Sequence, residues 1–105
     1  MNKKTIAVDK RANREISKFP LVVIARVEAH SRSLAKYGKL EEPLGKRINK
    51  SLFELRIKYK GEWRVLYSYL DNDVVILLSA FHKKTEQTPL NEIEKATKRL
   101  KEYII

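Results

Sequence analysis

The chain has 105 residues, 43% hydrophobic and 34% charged, enough apolar material for one modest core and too much for a disordered segment. Its 23 Lys and Arg against 13 Asp and Glu leave a formal net charge of +10. That charge favours polyanionic partners, nucleic acid ahead of an anionic membrane or an acidic protein. There is no cysteine, which excludes disulfides, thiol catalysis, zinc ribbons and iron–sulfur ligation.

Met1 to Thr5 is a polar lead without an apolar signal region, and no apolar run approaches the roughly 18 residues that span a bilayer. A single soluble domain in the cytoplasm is expected. Asp9 reads as an N-cap, and Ala12, Ile16 and Phe19 follow at helical spacing, predicting a short helix from Asp9 to Lys18. Pro20 ends it and suits the first turn of a second helix, where Leu21, Ile24, Val27, Leu34 and Ala35 form a stripe up to Tyr37, with Gly38 as the stop.

Lys39 to Lys50, with Pro43 and Gly45 and no sustained period, reads as a connecting loop. The period then becomes two. Phe53, Leu55, Ile57 and Tyr59 alternate with polar residues, then Trp63, Val65, Tyr67 and Tyr69 do the same, predicting a hairpin that turns around Gly61. After a turn at Asp71 to Asp73, the apolar run Val74 to Phe81 reads as a strand buried on both faces. Thr88 as N-cap and Pro89 in the first turn open a closing helix carrying Ile93, Ala96, Leu100 and Tyr103. The order predicts an α+β fold: two N-terminal helices, an antiparallel sheet of three to four strands, and a C-terminal helix.

A three-residue loop, Tyr59 to Gly61, keeps both apolar sets on one face, and it places Lys58 opposite Glu62 and Arg56 opposite Arg64. Opposed guanidiniums repel. The arrangement makes sense if an anion such as phosphate binds between them or if Glu54 partly neutralises them; alternatively both fan into solvent or pair with a carboxylate of the last helix. His82, Lys83 and Lys84 emerge at the end of the third strand, with strand alternation sending His82 and Lys84 to one face and Lys83 to the other.

A His beside Arg and Lys around a phosphate suits metal-free RNA cleavage. In that reaction the ribose 2′-hydroxyl attacks phosphorus, a base takes its proton, an acid protonates the 5′-oxygen, and cations stabilise the phosphorane. His82 as a plain exposed histidine is the bland alternative. His30 has no second ligand at metal spacing, and Glu41 with Glu42 or Asp71 with Asp73 read as solvated loop residues, so no metal or other cofactor is expected. Lys3, Lys4, Lys10, Arg11 and Arg14 form a basic patch at the start of the chain, and Tyr59, Trp63, Tyr67 and Tyr69 include candidates for base stacking.

The succession "LFELR", "GEWRVLY", "AFHKKTEQTP" and "NEIEKATKRL", over about residues 50 to 104, resembles the RelE/ParE superfamily of toxin–antitoxin toxins, most of all its phage-derived, HigB-like branch. The resemblance implies a small α+β toxin that cuts mRNA on the ribosome and is neutralised by a cognate antitoxin, often a small helix-turn-helix protein. On that basis Arg56, Arg64, His82 and Lys84 are the catalytic candidates. Lys58, Lys83 and Tyr67 are candidates for RNA binding, with Tyr67 the second choice as acid or base, and Glu54 orients Arg56. No C-terminal catalytic tyrosine and no Asp-Tyr-His element is matched. Two other readings stay open: a non-catalytic ParE-type toxin that binds DNA gyrase, and a basic nucleic-acid-binding phage accessory protein.

Overall fold

The computed structural model describes residues 3–104, so Met1 and Asn2 of the polar lead, and Ile105, lie outside it. Its elements are β1 (Thr5–Val8), α1 (Lys10–Ser17), α2 (Leu21–Tyr37), β2 (Gly45–Arg47), β3 (Phe53–Lys58), β4 (Glu62–Tyr69), β5 (Val74–Lys83) and α3 (Leu90–Lys101). The strands form one sheet in the order β1-β5-β4-β3-β2. The fold is α+β as expected, but the sheet has five strands and is mixed, because β1 runs parallel to β5 with Thr5 opposite Val74 and Val8 opposite Leu77.

Both additional strands are short. The run Ile6-Ala7-Val8 carries no readable period, and β1 exists because β5 offers it a parallel partner. Gly45–Arg47, inside the expected loop, pairs with Arg47 opposite Phe53 and Gly45 opposite Leu55. Gly45 lies against Leu40, whose Cβ would be 2.6 Å from a Cβ at that position.

Helices cover both faces of the sheet. On one face Ile16 and Phe19, with Val23, Val27 and Leu34 of α2, pack against Leu55, Ile57, Val65, Tyr67, Val75 and Leu77. On the other face, Ala96 and Leu100 of α3 pack against Leu52, Leu66, Ile76 and Leu78. The β5 strand is thus buried on both sides, as its unbroken apolar run predicts. The stripe of α2 is rotated from the expected one: Leu21 is 83% exposed, and Val23 is fully buried in its place.

The helix ends follow local chemistry. The Asp9 carboxylate accepts from the Arg11 and Ala12 N–H groups, at 2.8 and 3.3 Å, and so caps α1. Gly38, at φ 82°, ends α2 in the left-handed conformation, its N–H donating to Leu34 O at 2.8 Å. Pro20 and Pro89 sit at N-cap positions rather than in the first turns, and Thr88 does not cap α3.

Beyond Val8 no strand among the described residues lies beside this edge of β5, and side chains of α1 and α3 take over its hydrogen bonds. Arg99 Nη1 donates to Leu78 O at 2.8 Å, and the Ala80 N–H donates to Glu15 Oε1 at 3.0 Å. The Arg99 fork also holds both oxygens of Glu15, at 3.0 and 2.9 Å. One turn away, Asp9 is 2% exposed and accepts from Arg11 Nη2 at 2.8 Å and from the Tyr103 hydroxyl at 2.6 Å. Tyr103 therefore follows α3 as a tether rather than continuing its stripe.

These carboxylates make stability depend on pH. The Arg11 guanidinium, acting against burial and helped by the Tyr103 hydroxyl, holds Asp9 well below the usual carboxylate range. Burial alone would raise Glu15, but Arg99, the Ala80 N–H and Lys95 outweigh it and lower it. Groups depressed on folding contribute fully above their unfolded pKa, about 4, and lose that contribution as pH falls towards the folded value. The contribution of these two carboxylates to the urea midpoint is therefore expected to be nearly flat from neutral pH to about 5 and to fall steadily below about 4, while Asp9→Asn lowers the midpoint at neutral pH and flattens the acid slope. A second prediction concerns Gly61, at φ 134°, where a Cβ would lie 2.6 Å from His82 Nε2. Gly61→Ala should cost about 1–3 kcal/mol in chemical denaturation.

Candidate functional site

The β3–β4 turn sets the register of the basic residues. Lys60 at φ 48° and Gly61 at φ 134° reverse the chain, and the Tyr59 N–H donates to Gly61 O at 3.0 Å. Lys58 then lies opposite Glu62 and Arg56 opposite Arg64, as the alternation predicts. Burying Leu55, Ile57, Val65 and Tyr67 on the α1–α2 face is worth about 1.5–3 kcal/mol for each side chain. A single opposed like-charge pair costs at most about 1 kcal/mol, so the apolar set decides the register and the arginines must be accommodated.

Glu54 accommodates them. It is 2% exposed, and its Oε1 lies 2.9 Å from Arg56 Nε and 3.7 Å from Arg64 Nε. Its other oxygen accepts from the Thr88 hydroxyl at 2.6 Å, which ties the loop before α3 to the hairpin. The arginines are thus not an open pair over solvent. Arg64 is 5% exposed, with Nη2 on Glu62 Oε1 at 3.0 Å, Nη1 on Trp63 O at 3.1 Å, and a buried Nε that has no hydrogen-bond partner among the described residues. Arg56 is the more accessible of the two.

Arg56 opens onto a cleft of about 350 Å³ whose charged lining is Lys46, Arg47, Arg56 and Lys83 with Glu54 and Glu86. Lys83 Nζ donates to Thr85 O at 2.7 Å and Glu86 O at 2.6 Å, folding the β5–α3 loop around its own charge. Lys58 is exposed, its Nζ 3.9 Å from Glu62. Lys46 and Arg47 escaped the sequence reading because β2 did; the adjacent basic pair was the only available signal. The sequence pattern points Thr88 to the N-cap of α3, whereas its hydroxyl donates to Glu54.

His82, Lys84 and Tyr67 do not join this cleft. A bulge in β5 opposite Leu66 and Tyr67 shifts the pairing by one residue: Tyr67 faces Leu77, but Leu66 faces Ser79 and Trp63 faces His82. That slip reverses which β5 residues point to each face. Phe81 lies opposite Arg64 and Lys83 opposite Glu62 on the α3 face, while His82 lies on the other face, its ring stacked on Trp63 at 4.0 Å and 10°. Lys84 follows the last residue of β5 and is not among the lining residues of the cleft. Tyr67 is 1% exposed within the α1–α2 core, where burial and the neighbouring Tyr69 push its hydroxyl well above the usual range, unsuited to proton transfer.

The other stacking candidates are also built in. Tyr69 is half-buried and donates to Gly38 O at 2.9 Å, and Tyr59 lies under Arg26. In the basic N-terminal patch, Arg11 is paired with Asp9 and Glu102, and the Lys4 ammonium bonds the Asn72 carbonyl, leaving Lys3, Lys10 and Arg14 exposed to solvent.

The free mutant form of the Escherichia coli toxin RelE superposes with a TM-score of 0.73 at 16% identity, covering 93% of this chain and 98% of that one. The intact E. coli RelBE toxin–antitoxin complex gives 0.63 at 18% identity over 78% and 99% of the two chains. The RelBE2 toxin–antitoxin complex of Mycobacterium tuberculosis gives 0.61 at 22% identity over 77% and 99%. Identities this low speak for a shared RelE fold. No curated protein sequence matches the chain. The family described as "Phage derived protein Gp49-like (DUF891)" matches residues 14–101, most of the length, and the chain belongs to that Gp49-like family on a RelE-type fold.

Proposed function

We propose that this chain is the toxin of a toxin–antitoxin pair and acts as a ribosome-dependent, metal-free mRNA endoribonuclease in the cytoplasm, restrained by a cognate antitoxin, a small helix-turn-helix protein. The observation that carries the reading is the Arg56 cleft: four cationic side chains from β2, β3 and β5 around one opening, with Glu54 fixing the central guanidinium. The fold likeness to RelE, seen with its antitoxin in several of the matched structures, supports the pairing with an antitoxin.

In this mechanism Arg56, Lys83, Lys46 and Arg47 hold the scissile phosphate and stabilise the charge of the phosphorane. The 2′-oxygen forms a bond to phosphorus while the bond to the 5′-oxygen breaks, leaving a 2′,3′-cyclic phosphate and a free 5′-hydroxyl. Arg64 acts from below, holding Glu62 and lying beside Glu54. With His82 and Tyr67 turned away, the titratable side chains that line the cleft beside the arginines are Lys46, Lys83, Glu54 and Glu86.

One observation favours the non-catalytic alternative, a ParE-type toxin docking on DNA gyrase: both central arginines are already neutralised by internal carboxylates, and Arg64 is buried. The two readings separate in a cell-free translation reaction with a reporter mRNA. Wild type should cut the message, and Arg56→Ala, which takes the nearest cation from buried Glu54 and so lowers the melting temperature, should cut it roughly 10²-fold more slowly at a temperature where it is still folded. Inhibition of supercoiling without any RNA product would support the gyrase reading instead. Arg64→Ala should act through the fold, losing about 3 kcal/mol in urea denaturation because Glu54 and Glu62 lose a buried partner.

A further inference from the structure

The β3–β4 turn presents a second surface on the sheet face opposite the Arg56 cleft. There His82 lies flat on Trp63, ring centroids 4.0 Å apart and 10° from parallel, and Trp63 in turn rests on Phe19 at 4.9 Å. The indole cannot swing away, because its Nε1 donates to Tyr59 O at 2.9 Å. Gly61 leaves room for the edge of the imidazole, since any Cβ there would be 2.6 Å from Nε2. The imidazole is solvent-exposed, so the face turned away from Trp63 is open.

The surrounding charge is positive and not cancelled. Arg26 is held by a carbonyl, Lys58 O at 2.8 Å, with its guanidinium over the Tyr59 ring at 5.5 Å. Lys60 lies over the same ring at 5.5 Å. A rigid, open π-face bordered by cations on a chain of net charge +10 matches the chemistry of an unpaired nucleobase with its flanking phosphates better than that of an acidic peptide, which has no planar group to lay on the ring.

We propose that the exposed face of His82, backed by Trp63 and Phe19, is a stacking platform for one unpaired base of single-stranded RNA, with Arg26 and Lys60 contacting the adjacent phosphates. The proposal rests on the RNA-directed reading above only in its choice of polymer. It adds a contact about bases, whereas the Arg56 cleft contacts phosphates.

Trp63 is the sole tryptophan and reports directly on the platform. Wild-type protein is titrated, without ribosomes and at fixed moderate salt, with a short single-stranded oligoribonucleotide, with an abasic oligomer of equal charge, and with an acidic peptide. Binding is followed by Trp63 emission and by anisotropy of the labelled probe. The base-bearing oligomer should perturb Trp63 and the abasic one should not. His82→Ala should weaken the base-bearing oligomer about ten-fold and leave the abasic oligomer unchanged, while His82→Phe restores binding. Arg56→Ala should weaken both oligomers alike. Equal affinity of wild type and His82→Ala for the base-bearing oligomer overturns the platform, even if Arg56→Ala still weakens binding and the cleft reading stands. Perturbation of Trp63 by the peptide but not by RNA overturns it as well. Matching melting temperatures of the variants, or restored binding in His82→Phe, separate loss of stacking from loss of fold.

Discussion

A single buried carboxylate makes the centre of this molecule possible. The hairpin cannot bury Leu55, Ile57, Val65 and Tyr67 together without setting Arg56 against Arg64, and the second of these arginines is buried, where water screens it poorly. Glu54 sits between them and is itself secured by Thr88. Removing it would leave two cations facing each other in a poorly solvated layer, a far costlier arrangement than the same pair at a surface. The carboxylate also divides the labour: Arg64 becomes part of the scaffold, and Arg56, held at its Nε, still lines the cleft.

Sidedness is the second constraint. A sheet has two faces, and in this chain both are covered by helices, so every strand residue must commit to one layer. The bulge in β5 resets that commitment halfway along the strand. Val75 and Leu77 serve the α1–α2 core, yet beyond the bulge it is Ala80 and His82 that turn to that side, and Lys83 that joins the arginine face. One inserted residue thus exchanges the histidine for a lysine beside the candidate phosphate site, and it makes the cleft wholly cationic in its basic groups.

The third is the treatment of a sheet edge. Parallel strand β1 covers only the first part of β5, and an exposed strand edge invites uncontrolled pairing. Here Glu15 and Arg99 present an acceptor and a donor to the Ala80 N–H and the Leu78 carbonyl, in effect continuing the ladder with side chains. The same pair joins α1 to α3 across the sheet edge. Asp9, which caps α1 and binds Tyr103, adds a second fastening nearby, so residues far apart in the chain are held by charge rather than by further core.

The elements with a strong period were legible in the amino-acid order: both N-terminal helices, the hairpin about Gly61 with its opposed arginines, the doubly buried strand and the closing helix. In each, burial of a repeating apolar set outweighs everything else, and that set is written locally. What escaped lacked such a set. Strand β1 owes its existence to a partner distant in sequence, the three-residue β2 to the edge of the neighbouring β3, Thr88 is diverted from its cap by a carboxylate thirty-four positions away, and Tyr67 is claimed by the core. The location of His82 was beyond any local reading, because a strand that is apolar on both faces carries no alternation from which a bulge could be detected. Which side of the sheet receives a side chain there is decided only when β5 is laid against β4 and two packed helical layers select the register that fills both.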